Sequence, residues 1–266
     1  MFTYFETLQQ MVEFTKTNYH RMVRTFHGQW EQAVKSLQQG DETLVRDAEA
    51  KMNDLMDHTY STVGKEWQPN VYGPIVSVPD YISGSPTHFR HQKDTESTTT
   101  PIRIVASITS SAGISREYLR TRGIAISALV MKLQAIRPVD LIVYTEQDGP
   151  RDGGLLSGSG VVALKVESRP LSLAHAINML ANSDIARELF YSINSTTAGH
   201  HYGGWPQGFR ELGTYEKAKA ELFQMDPDTD IAVPSVHMKD TDVLNNPTKW
   251  INDNLERLGY CADGGC

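Results

Sequence analysis

Ile102-Arg103-Ile104-Val105-Ala106-Ser107-Ile108-Thr109-Ser110-Ser111-Ala112-Gly113-Ile114-Ser115 is the stretch that decides the fold class. Its first half is β-branched and apolar, the composition of a buried strand, and its second half is small and polar, the composition of a tight turn. Ser115 is suited to cap a helix over 116–135, with Glu117 in the first turn, where a carboxylate meets the positive end of the helix dipole. Arg137-Pro138 ends that helix, and Val139-Asp140-Leu141-Ile142-Val143-Tyr144 reads as a second strand. Two strands joined by a helix of this length predict a right-handed βαβ unit and a parallel sheet.

Working outward, Gln147–Gly160 carries five glycines and reads as an excursion before a third strand, Val161–Val166. A helix over 172–190, a polar glycine-rich loop over 194–208 and a helix over 214–223 follow. A last strand at 230–234 and a helix over 248–258, stopped by Gly259, complete an α/β core at 102–260 with an open, mainly parallel sheet. No internal repeat is visible. Upstream, residues 1–58 read as a helical region. Phe5, Leu8, Val12, Thr15, Tyr19, Met22 and Phe26 follow a 3-4 spacing that predicts a helix over the first 26 residues. Its stripe packs either on the core or against a second copy of the chain, as a homo-oligomer. Helices over 29–38 and 41–58 follow, the latter capped by Asp41. Residues 59–101 form a Pro/Gly-rich extended segment with short pieces such as Ile75-Val76-Ser77-Val78, and 261–266 is a tail.

The chain has 266 residues and a net charge of −7. That acidity argues against coating duplex DNA by bulk electrostatics. The charge is uneven: 211–266 holds eleven acids and five bases, whereas 86–122 holds six bases (Arg90, Lys93, Arg103, Arg116, Arg120, Arg122) and three acids. No stretch is long and apolar enough for a membrane helix. The opening Met1–Glu6 lacks the basic start and apolar block of a signal peptide, which points to the cytoplasm. The two cysteines, Cys261 and Cys266, fit a reducing compartment and leave a C-x4-C spacing with no second Cys/His pair beside it.

In open α/β sheets ligands gather at the carboxyl ends of the strands. Here that place is the loop Ser107-x-Thr109-x-Ser111, leading to the helix N-terminus near Ser115, where hydroxyls and backbone N–H groups suit an anion such as phosphate. The same small residues also suit a tight turn with no ligand. Glu146 and Asp148 end the second strand but have no nucleophile beside them in sequence, and no dinucleotide loop, P-loop, Gly-x-Ser-x-Gly elbow or His-Glu-x-x-His is present. The expectation is therefore a protein that is not an enzyme and carries no cofactor or metal. Two segments combine bases with aromatics as a single-strand binder would: 81–93, with His88, Phe89, Arg90, His91 and Lys93, and 200–210, with His200, His201, Tyr202, Trp205 and Arg210. Arg90, Lys93 and Arg122 are the expected phosphate contacts, and Tyr202 and Trp205 the expected stacking residues.

The Ser107-x-Thr109-x-Ser111 loop is similar to the Asp-x-Ser/Thr-x-Ser loop of von Willebrand A domains, with Ser107 in place of the metal-ligating aspartate. The resemblance implies a von Willebrand A-like or Rossmann-like core with a degenerate metal loop. A second resemblance rests on Val71-Tyr72-Gly73, on Val78-Pro79-Asp80-Tyr81-Ile82-Ser83-Gly84-Ser85-Pro86, on Arg122-Gly123-Ile124-Ala125, and on Asp230–Pro234 with Asn246-Pro247-Thr248-Lys249-Trp250-Ile251. These residues resemble a phage family of unknown function, found in actinobacterial phages and in Schitoviruses. Schitoviruses also encode a single-stranded DNA-binding transcription cofactor of about this size, which recruits a small phage RNA polymerase. What the resemblance implies is a bacteriophage protein in the cytoplasm of the infected host cell that binds single-stranded DNA and such a polymerase. The alternative is a structural or assembly factor that makes protein–protein interactions only.

Overall fold

A computed structural model describes residues 2–19, 30–56, 65–71, 75–94, 100–109, 114–147, 160–166, 173–198, 222–226, 228–235 and 242–260. The stretch that opens the reading folds as expected. β5 (Ile102–Ser107) leads to α5 (Arg116–Ile136), whose cap Ser115 accepts a hydrogen bond from the Tyr118 N–H, and β6 (Val139–Gln147) returns parallel to β5. β8 (Ile231–Val233) adds to the other side of β5, also parallel.

Two neighbours depart from the reading. β7 (Gly160–Val166) runs antiparallel to β6, pairing Gln147 with Gly160 and Leu141 with Val166. A parallel return needs a crossover of about a dozen residues or more, usually a helix, and no helical pattern separates these strands, so a hairpin-type reversal is the natural outcome. The first residues are not helical either. β1 (Phe2–Phe5) pairs parallel with β7, and α1 (Leu8–Thr17) begins only after Thr7, whose hydroxyl accepts the Gln10 N–H at 3.2 Å. Phe5 fits the 3-4 helical spacing by coincidence, because its strand position also buries it. The sheet is mixed, in the order β1-β7-β6-β5-β8, with three parallel pairings and one antiparallel.

The remaining helices are α2 (Trp30–Gln39), α3 (Glu42–Met56), α6 (Leu173–Ala181), α7 (Tyr191–Ala198), α8 (Asp242–Asn245) and α9 (Pro247–Arg257). Asp41 caps α3 through the Thr43 and Leu44 N–H groups, and Gly40 takes φ +77° at the end of α2. The helix expected over 172–190 breaks after Ala181 and resumes through a π-helical turn at Ile185–Phe190 into α7, which takes in Asn194–Ala198 from the expected loop.

Strand alternation assigns the faces. Ile104, Ala106, Leu141, Val143, Val162 and Leu164 share one core with Met11 and Val12 of α1, Ala33 and Leu37 of α2, Ala48 of α3, and residues of α5, α6, α7 and α9. The N-terminal helices therefore pack on the same face as α5, and the stripe of α1 goes into the core. The opposite face carries Val105, Ile142, Tyr144 and Ala163. Among the described residues it is covered by Phe223, with Met225 and Tyr4 at its margin. Arg103 holds this cover in place, donating to the carbonyls of Phe223 at 2.6 Å and Gln224 at 2.9 Å. Burial, and then the Glu6 carboxylate, raise the pKa of Tyr4 above its ordinary value, against the opposing pull of Arg103.

A second, three-stranded antiparallel sheet has the order β2-β4-β3, from β2 (Lys65–Asn70), β3 (Ile75–Val76) and β4 (Phe89–Asp94). The extended piece expected at Ile75–Val78 ends early, because Val78–Ile82 forms the short helix α4, with Pro79 in its first turn. No helix among the described residues is long and apolar enough to cross a membrane.

Candidate functional site

The carboxyl ends of β5, β6 and β8 meet in a buried polar cluster. The Ser107 hydroxyl accepts the Thr109 N–H at 3.2 Å, the Thr109 hydroxyl accepts the Glu146 N–H at 2.9 Å, and the Ile108 N–H donates to the Tyr144 carbonyl. Ser107, Thr109 and Glu146 are all buried. Two of the three hydroxyls of the expected loop thus prolong the β5–β6 ladder, which is the turn-forming role that small polar residues also serve. Ser111 lies outside the described residues. Glu146, within β6, meets the cluster through its backbone N–H, and Asp148 lies outside the described residues. Among the described residues no three His, Cys, Asp or Glu side chains gather as a metal-binding group.

Arg122 is 4% exposed. Its guanidinium donates to the Ser107 carbonyl at 2.9 Å and to the Pro234 carbonyl, so α5 braces the ends of β5 and β8 from inside. Arg122 is therefore buried and tied to two carbonyls of the fold, a brace between strand ends. The same holds for most of the basic stretch 86–122. Arg103 clamps Phe223 and Gln224, Arg116 lies 3.3 Å from Asp184, and Arg120 pairs with Asp47. A local charge of +3 in sequence is thus largely spent on internal partners, and Arg90 and Lys93 are the two bases of the six that lie in the small sheet.

Both lie in β4, where Arg90 pairs in register with Pro69 of β2 and Ile75 of β3, and Lys93 with Glu66 of β2. Phe89 also closes a row of rings. The His88 ring lies 4.6 Å from that of Phe89, and the Tyr81 ring meets His88 edge-on at 5.3 Å. Tyr202, Trp205 and the His200-His201 pair lie outside the described residues, as do Cys261 and Cys266.

Seven large apolar residues are exposed among the described ones, and five of them fall in one short segment: Val71, Val76, Val78, Tyr81 and Ile82. The sequence describes 59–101 as a Pro/Gly-rich extended segment and marks 81–93 for its bases and aromatics, not for exposed aliphatic residues. The available signal was the pairing of Tyr81 with Ile82 amid Ser, Gly and Pro, but nothing in sequence tells an exposed apolar pair from a buried one.

Residues 2–260 match the family described as Domain of unknown function (DUF7192). The chain belongs to that family. No curated protein and no solved structure matches it. The family match begins in β1 and ends just beyond α9, so it takes in the N-terminal strand and helices, the small sheet and the α/β core as one unit.

Proposed function

We propose that this is a bacteriophage protein of the infected cell's cytoplasm that binds single-stranded DNA without catalysing a reaction and brings a protein partner, such as a phage RNA polymerase, to it. The observation that carries the reading is β4 and its approach. Residues 81–93 contain Arg90, Lys93, His88 and His91 and no acid, in a chain whose net charge is −7. A run of bases and aromatics free of acids, bounded by Asp80 and by Asp94 at the end of β4, is what a local phosphate-tracking surface requires in an acidic protein. The resemblance of Val78–Pro86 and Asp230–Pro234 to a phage family supports the setting. At the carboxyl ends of β5 and β6, the loop reads as a von Willebrand A-like turn that has lost its metal aspartate. Tyr202 and Trp205 remain proposed stacking residues in a second segment.

The protein-only reading is favoured by one observation, the exposed Val71, Val76, Val78 and Ile82, since contiguous exposed apolar surface commonly marks a protein interface. Fluorescence anisotropy of a labelled oligothymidine, titrated with the full chain at several salt concentrations, separates the two. The expected result is binding whose affinity falls steeply with salt. Absence of binding at the lowest salt overturns the nucleic-acid reading and leaves the protein-only one.

A further inference from the structure

We draw no further inference here: the strongest candidate, the exposed apolar patch of Val78, Tyr81 and Ile82 on α4 beside the three-stranded sheet, carries none, because nothing in the structure shows what covers it.

Discussion

The five-stranded sheet and the three-stranded ribbon are built from strands of similar length but treat apolar surface in opposite ways. In the sheet, β5, β6 and β7 bury residues on both faces, with Ile104 and Leu141 against the helices and Val105 and Tyr144 against Phe223. In the ribbon region, the apolar residues Val71, Val76, Val78, Tyr81 and Ile82 stay in water. The arginines divide the same way: those of β5 and α5 are consumed by carbonyls and carboxylates of the fold, while Arg90 lies in the ribbon. The contrast is between a sheet whose apolar surface is covered and a ribbon region whose apolar surface is open, and it can be probed from either side.

The largest effect is expected inside the sheet layer, at the crossing of α5 and α6. A Cβ on Gly123 would lie 2.4 Å from the Leu180 carbonyl oxygen and 2.5 Å from Ala181 Cα, both backbone atoms that cannot swing aside. Gly123→Ala should therefore destabilise the protein by about 3 kcal/mol, the overpacking outweighing the roughly 1 kcal/mol that alanine gains in a helix. Urea denaturation measures it, and a variant as stable as wild type would show that the two helices are free to part.

Arg122→Met comes next. It removes two charge-assisted bonds at the ends of β5 and β8, and each leaves a carbonyl short of a donor. A loss of about 2–3 kcal/mol is expected, with oligonucleotide affinity and its salt slope unchanged. A lower salt slope in a folded variant would return Arg122 to the interface and break the division between the two regions.

The smallest effects sharpen the ribbon side. If β4 tracks phosphates as proposed, Lys93→Ala and Arg90→Ala should each reduce the magnitude of the salt slope by about 1. An unchanged slope in both variants would remove β4 from the proposed interface.

Local chemistry was read with few errors. The β-branched run at Ile102–Ser107, the cap Ser115, the stop at Arg137-Pro138, the cap Asp41 and the turn glycine Gly259 each act within a few residues of themselves, so their meaning does not depend on the rest of the chain. Readings that failed involved partners far away in sequence. Phe2–Phe5 is a strand because β7 offers it an edge, and its spacing alone fits a helix equally well. Basic residues between 86 and 122 look like one patch until Asp47, Asp184, Phe223 and Pro234 arrive from distant segments to engage four of them.

The sequence by itself determined an α/β chain with a β5–α5–β6 unit and a strand-end loop of hydroxyls, because periodicity, capping and turn chemistry are local properties. Only the tertiary structure decided the reversal of β7 and the use of Ser107, Thr109 and Arg122 as ties between strand ends. It alone left Tyr81 standing in water. Burial and hydrogen-bond partnership are set by what packs against a residue, and no residue carries that information in its own name.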